Sequence, residues 1–158
     1  MQVFFLLEHK KMFYPDKRFI DTLSQAERFI FLKVISGLVA CDRQVSKEEL
    51  LYLRELAFKY EVDADSLITM IKTANKSTLI RQARMITERP KALMLIKDLC
   101  MLANNDTDLA DTEIDYILDI ADVMGINPLR VKEINQIVND YIELSQRAKT
   151  LLEQENWT

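Results

Sequence analysis

Glycine and proline are scarce in this sequence, which contains only 2 Gly and 3 Pro among 158 residues. Tight hairpin turns depend on these two residue types, so their scarcity disfavours a fold built from β-hairpins. The rest of the composition, 49% hydrophobic and 29% charged, is typical of helical proteins. We therefore predict an all-α protein: a compact bundle of about seven helices, forming a single domain over residues 1–158, with its core at about 23–140.

Cysteine and histidine are also rare. The two cysteines are Cys41 and Cys100, and His9 is the single histidine. Two distant cysteines provide neither a disulfide framework nor a thiolate metal site, so we expect free thiols in a reducing cytosol. One histidine, without a glycine-rich phosphate loop or a serine-centred elbow in the sequence, argues against the common catalytic sites. We expect no enzymatic activity.

The sequence has no basic excess and no long apolar run. Its net charge is −4 and its pI is near 5.1, which disfavours nucleic acid as a partner. The most apolar stretch, Phe29–Cys41, is interrupted by Lys33 and is shorter than the roughly 20 residues of a membrane span. The apolar start has no basic leader and no long apolar middle, so it does not read as a signal peptide, and we expect a cytoplasmic protein.

Several helix starts are marked by capping residues. Ser24 with Glu27, and Ser46 with Glu49, have the spacing of capping boxes, while Asn127 followed by Pro128 is a strong start signal. Asp63 and Ser77 precede two further apolar-periodic stretches. The segment Phe29–Val39 is apolar nearly all round, so we predict that it forms the centre of the bundle, with Gly37 allowing a neighbouring helix to approach closely.

The last predicted helix is long, from Pro128 to about Asn156. Its apolar residues are spaced in heptad fashion: Val131, Ile134, Val138, Tyr141, Ala148 and Leu152. We expect its first half to lie on the domain and its second half to project. A projecting stripe would pair two chains as a homodimer; the alternative is that the whole helix packs back on its own domain.

The strongest feature is an internal duplication. Residues 32–50 align without a gap on residues 96–114, at a constant offset of 64 positions. Identical residues at equivalent positions include Lys33 with Lys97, Leu38 with Leu102, Asp42 with Asp106, Glu49 with Glu113, Tyr52 with Tyr116, and Ala57 with Ala121. Each copy is predicted to be a helix, a short acidic link and a second helix.

The duplicated acidic residues are candidate metal ligands. Asp42 and Asp106 fall at helix ends, and Glu49 and Glu113 fall in the first turn of the next helix, where the helix dipole favours an anion. If the two copies pack about a pseudo-two-fold axis, these four carboxylates converge, joined in the second copy by Asp108. Such oxygen ligands suit Ca²⁺, Mg²⁺ or Mn²⁺.

A purely structural explanation is also open. Glu49 is accounted for as the capping-box partner of Ser46, and aspartate is common in links between helices. The second copy fits this explanation less well, because Ser46 is replaced by Ala110 while Glu113 remains.

These motifs resemble a known family. Residues 40–49 (ACDRQVSKEE) and residues 103–113 (ANNDTDLADTE) are similar to the duplicated Ala-Asp-Gly…Glu pattern of the TerB-like domain of bacterial tellurite-resistance proteins. The resemblance covers roughly Leu23 to Val138, although Arg43 and Thr107 replace the usual glycine. It implies a helical bundle with an acidic, cation-binding site, in a stress-associated bacterial protein that acts through protein partners, sometimes at the inner face of the membrane.

We therefore predict a non-enzymatic binding module that associates with a divalent cation or with protein partners through the acidic motifs. One alternative is a hydrolase that uses the paired carboxylates for metal-assisted chemistry, although it would also need an activated water and a substrate clamp. Another is a structural or oligomeric adaptor that meets its partners through the terminal helix and the basic stretch from Lys72 to Lys91.

Overall fold

The computed structural model describes residues 15–41, 45–105 and 111–153, and these form eight helices with no strand. The prediction of an all-α bundle is confirmed. Seven helices correspond to those predicted, and α1 precedes them. Their bounds are α1 Lys17–Thr22, α2 Gln25–Cys41, α3 Lys47–Lys59, α4 Ser66–Lys72, α5 Lys76–Ala83, α6 Arg89–Asn105, α7 Asp111–Val123 and α8 Pro128–Glu153.

The predicted caps are present at three helix starts. The Ser24 and Ser46 hydroxyls accept from the amides of Glu27 and Glu49, and each glutamate accepts from the serine amide in return. The side chain of Asn127 caps α8 by accepting from the amide of Arg130 at 2.8 Å.

Two predicted starts are displaced. Asn75, not Ser77, caps α5, because its side-chain oxygen accepts from the Thr78 amide at 3.1 Å. Helix α4 begins at Ser66, since the Asp63 carboxylate accepts from the Asp65 amide at 3.0 Å and so holds a turn before the helix.

Helix α2 lies at the centre of the bundle, as predicted, and packs against α3, α4, α5, α6 and α7. Its residues from Ile30 to Val39 are buried except Lys33, and all eight helices contribute side chains to one hydrophobic core. Gly37 is where its neighbours come closest. A Cβ atom at Gly37 would lie 2.4 Å from both Leu79 Cδ1 of α5 and the Tyr116 hydroxyl of α7, so only glycine fits without rearrangement.

The two copies of the duplicated unit meet at equivalent positions. Lys91, at the start of α6, donates to both carboxylate oxygens of Glu27, at the start of α2, at 3.1 Å. These residues are separated by the repeat offset of 64 positions. Contact between the same position of both copies places a pseudo-two-fold axis beside this ion pair. The expected packing of the copies about such an axis therefore has direct support in the geometry.

Two buried tyrosines connect the repeats. The Tyr116 hydroxyl of α7 donates to the Val34 carbonyl of α2 at 2.6 Å. The Tyr60 hydroxyl, at the end of α3, donates to the Asp98 carboxylate of α6 at 2.6 Å. Val34 and Asp98 are equivalent positions, but Tyr116 and Tyr60 are not, so the two bonds are separate contacts between the repeats.

Helix α8 runs for 26 residues, or about 39 Å at 1.5 Å per residue. Its first half packs on α6 and α7 through buried Val131 and Val138. Every described residue from 143 to 153 is exposed, so the second half extends beyond the bundle. Of the described helices, none combines the length and the apolar character that crossing a membrane requires.

Candidate acidic site

The five predicted metal ligands are only partly within the described residues. Glu49 lies in the first turn of α3 and Glu113 in the first turn of α7, as predicted. Asp42, Asp106 and Asp108 lie outside the described residues. The structure therefore describes the positions of the two glutamates and of the helix ends that precede the three aspartates in the chain.

Glu49 forms the predicted capping box. Its carboxylate accepts from the Ser46 amide at 3.2 Å, and its own amide donates to the Ser46 hydroxyl at 3.1 Å. The residue is only 8% exposed, which is low for a glutamate near a helix start. The cap explains the position of one carboxylate oxygen, Oε1, and leaves the second, Oε2, outside that interaction.

The charge of Glu113 acts on the end of the helix that opens the other repeat. Burial is the main cause that raises the pKa of the Cys41 thiol; the Lys76 ammonium lowers that pKa, and Glu113 adds a smaller increase. Cys41 is the last residue of α2 and its thiol donates to the Gly37 carbonyl at 3.4 Å. The first turn of α7 and the end of α2 thus share one electrostatic neighbourhood.

Cys41 was not predicted to belong to this neighbourhood. In the sequence it is an apolar residue before the acidic link, and it has no cysteine counterpart at position 105, which is Asn. Its proximity to Glu113 depends on how the two repeats pack, which no spacing within one repeat reveals. Within residues 15–41, 45–104 and 111–153, no three His, Cys, Asp or Glu side chains are grouped closely enough to hold a metal ion.

The acidic face of α7 pairs with a basic residue of a neighbouring helix. Lys76, the first residue of α5, lies 2.7 Å from the Asp119 carboxylate, and this bond raises the pKa of Lys76. Both side chains are about half exposed, so the pair contributes little stability by itself. It does relieve repulsion among the carboxylates of α7, and it connects the start of α5 to α7.

A buried polar group lies in the middle of the bundle, away from the acidic turns. Asp98 of α6 is fully buried, and it accepts from the Tyr60 hydroxyl and pairs with the Lys97 ammonium. Both Asp98 oxygens are therefore satisfied, as a buried carboxylate requires. Burial and the Asp98 charge hold the pKa of Tyr60 well above its usual range.

Two clefts lie at equivalent places in the two repeats. The first, of about 650 Å³, is bounded by α2, α4 and α5, and the second, of about 300 Å³, is bounded by α6 and α8. The repeat offset relates the lining of the two clefts at Phe29 with Leu93, Lys33 with Lys97, Ser66 with Arg130, Met70 with Ile134, Thr73 with Ile137, and Ala74 with Val138. The first cleft is rich in hydroxyl groups, whereas the second is mainly apolar.

The chain is similar to a known protein family. The family model described as tellurite resistance protein TerB matches residues 29–136, more than half of the chain. The chain belongs to the TerB family. The match includes both acidic motifs and both copies of the duplicated unit, so the resemblance noted from the motifs is confirmed. No significant match is found among curated proteins or among solved structures. The protein is a tellurite-resistance-type helical module.

Proposed function

We propose that this TerB module is a non-enzymatic binding protein that holds a divalent cation between its two acidic turns. The ligands would be Asp42, Glu49, Asp106 and Glu113, with Asp108 as an additional oxygen donor. Carboxylates are the ligands that Ca²⁺, Mg²⁺ and Mn²⁺ prefer, and a set of four or five provides the negative charge that a tight site needs.

The observation that carries the proposal is the close approach of α7 to the last turns of α2, where the Tyr116 hydroxyl lies against Gly37. Glu113 is one turn before Tyr116, and Cys41 is one turn after Gly37, so the approach brings the start of α7 toward the helix end that precedes Asp42 in the chain. The smaller effect of the Glu113 charge on the Cys41 thiol agrees with this approach. From the sequence alone, Glu113 could be paired with Asp106 of its own repeat as readily as with Asp42 of the other.

The pseudo-two-fold axis extends the same relation to the other ligands. Applying the repeat offset to the Cys41 and Glu113 pair gives position 105, at the end of α6, and Glu49. The packing of α3 against α6 supports this pairing. In the proposed site each glutamate would share the cation with the aspartate of the opposite repeat, so a bound cation would join the two halves of the module.

Binding of a cation would provide a means of acting through partners. The four carboxylates repel one another when no cation is present, and neutralising them would draw the ends of α2 and α6 toward the first turns of α7 and α3. A protein partner that recognises this end of the bundle would distinguish the two states. We propose that the protein serves a tellurite-type stress response in the bacterial cytoplasm in this way, including at proteins of the inner membrane face.

Calorimetric titration tests the site. The wild-type protein is expected to bind at least one of Ca²⁺, Mg²⁺ or Mn²⁺, and the double variant Asp42→Asn/Asp106→Asn is expected to lose that binding. Asp122→Asn, which removes an exposed carboxylate at the far end of α7, is the matched control and should bind as the wild type does. Absence of binding by the wild type for all three cations would refute the proposal.

The same variants distinguish a binding module from a metal-assisted hydrolase. A hydrolase would need an activated water and groups that orient a substrate in addition to the cation. We expect phosphate esters to show no turnover in the presence of Mg²⁺ or Mn²⁺. Turnover that Asp42→Asn abolishes and Asp122→Asn preserves would establish the enzyme instead.

A further inference from the structure

An apolar face runs along α8 from its middle into its projecting half. Ile137, Leu144 and Leu151 are spaced by seven residues and are 54%, 59% and 67% exposed. Tyr141 and Ala148 lie between them on the same side of the helix, which completes the alternating spacing of three and four residues found in coiled coils. This stripe shares Tyr141 and Ala148 with the predicted one. It differs at other positions, because Val131 and Val138 are buried in the bundle.

The stripe is continuous with the second cleft. Ile134 and Ile137 belong both to this face of α8 and to the lining of the cleft, whose opposite wall is formed by Leu93 and Met94 of α6. An apolar surface therefore runs from the side of the bundle along the full projecting half of the helix. A single helix from another molecule could follow it without leaving apolar contact.

The first repeat shows how such a cleft is covered. There the chain turns after α4, and α5 folds back so that Thr78, Leu79 and Gln82 form one side of the first cleft. In the second repeat the helix equivalent to α4 is the start of α8, which continues straight on. The helix that would lie in the place of α5 is thus missing from the second cleft within the described chain.

We propose that this place is taken by the projecting half of α8 from a second copy of the chain, in a reciprocal antiparallel pair. Tyr141 of one copy would then face Leu144 of the other, Ile137 would face Ala148, and Ile134 would face Leu151. Each tail fills the cleft of its partner, so one symmetric contact covers both exposed stripes.

Charge favours the antiparallel direction. Asp140 and Arg147 flank the stripe at equivalent heptad positions, and in an antiparallel pair each lies against the other residue of the second copy. Within one helix they are two turns apart, about 10 Å along the axis, too far for an ion pair. In a parallel pair the facing positions would be Ser145 and Leu152, which offer these charges no partner.

Sedimentation measurements over about a hundredfold range of protein concentration test the pairing. The wild-type chain is expected to show a reversible monomer–dimer equilibrium. Leu144→Glu/Leu151→Glu should raise the dissociation constant by at least tenfold while the helical circular dichroism stays the same, since both side chains are exposed. Phe58→Glu, at an apolar side chain that is 85% exposed on α3, is the control and should leave the equilibrium unchanged.

Charge reversal tests the direction. Asp140→Arg and Arg147→Asp should each weaken the dimer, and the variant carrying both should recover the wild-type affinity. A chain that stays monomeric throughout, a dimer indifferent to Leu144→Glu/Leu151→Glu, or single reversals without effect would each overturn the proposal. A tail that binds a different protein while the chain stays monomeric would equally exclude the second copy as occupant.

Discussion

Gly37 is the residue at which the packing of α2 depends most on the absence of a side chain. Gly37→Ala would place a methyl group 2.4 Å from Leu79 Cδ1 and from the Tyr116 hydroxyl. Leu79 or Tyr116 must then move, and a shift of Tyr116 would lengthen its bond to the Val34 carbonyl. We expect Gly37→Ala to lower the free energy of unfolding by about 1–3 kcal/mol, although alanine is the better helix former.

A neighbouring residue provides the control for this change. Ser36 is fully buried, and its hydroxyl has no hydrogen-bond partner among the residues that the structure describes. Ser36→Ala should therefore change the free energy of unfolding by less than about 0.5 kcal/mol or raise it. Urea denaturation of both variants measures the difference. Equal stability of Gly37→Ala and the wild type would mean that α5 and α7 do not approach α2 as closely as described.

At the scale of single residues, capping patterns in the sequence predicted several helix starts. The capping boxes at Ser24 and Ser46 were predictable because serine and glutamate act within one helical turn. Asn75 was overlooked as a cap since Ser77 is an equally good capping residue two positions later, and local sequence does not decide between them. The effect of Glu113 on Cys41 could not be predicted, because it depends on the packing of distant segments.

At the scale of elements, the pairing of α2 with α6 at their starts depends on the bond between Glu27 and Lys91. Burial alone would raise the pKa of Glu27, but the Ser24 amide and the Lys91 ammonium outweigh it and lower that pKa. Glu27→Gln keeps the cap, since glutamine also serves in capping boxes, and removes the charge that faces Lys91.

We expect Glu27→Gln to cost about 1–3 kcal/mol of unfolding free energy, because Lys91 is only 7% exposed and loses its better partner. Glu88 also lies 3.3 Å from the Lys91 ammonium, but its side chain is 67% exposed. Glu88→Gln should therefore cost less than about 0.5 kcal/mol. A cost for Glu88→Gln as large as that for Glu27→Gln would contradict the role given to the contact at the axis.

The elements themselves were largely predictable from the sequence. Apolar periodicity identified seven of the eight helices and placed α2 at the centre, since a helix that is apolar all round must be surrounded. Helix α1 was missed because its six residues are too short to show a helical period. The exposed apolar stripe of α8 was predicted only in part. Heptad spacing alone allows two neighbouring stripes, and only the packing of α8 on α6 and α7 shows which residues are buried.

At the scale of the whole molecule, stability should fall in alkaline solution. Burial raises the pKa of Cys100 from 9.0 to about 12, and it also raises the pKa of Tyr116. Above pH 9 the unfolded chain releases protons that the folded chain retains, so the free energy of unfolding decreases as pH rises. The contribution of Cys100 between pH 8 and pH 10.5 is about 2 kcal/mol.

Urea denaturation at these two pH values measures the effect. Cys100→Ala should be less stable than the wild type at pH 8 but should lose about 2 kcal/mol less on going to pH 10.5. Cys41→Ala, which removes a thiol that is only half-buried, should reduce the pH dependence to a smaller extent. An identical loss in the wild type and in Cys100→Ala would show that the Cys100 thiol is accessible to water.

The proposed cation site would join the two halves of the molecule, and a paramagnetic cation tests this most directly. Added in small amounts, Mn²⁺ broadens the amide resonances nearest to where it binds. The account predicts that resonances of both repeats broaden first and together: Cys41 and Glu113 on one side, and Glu49 and the end of α6 on the other. Broadening confined to one repeat, or spread along the exposed carboxylates of α7, would contradict a site shared between the two acidic turns.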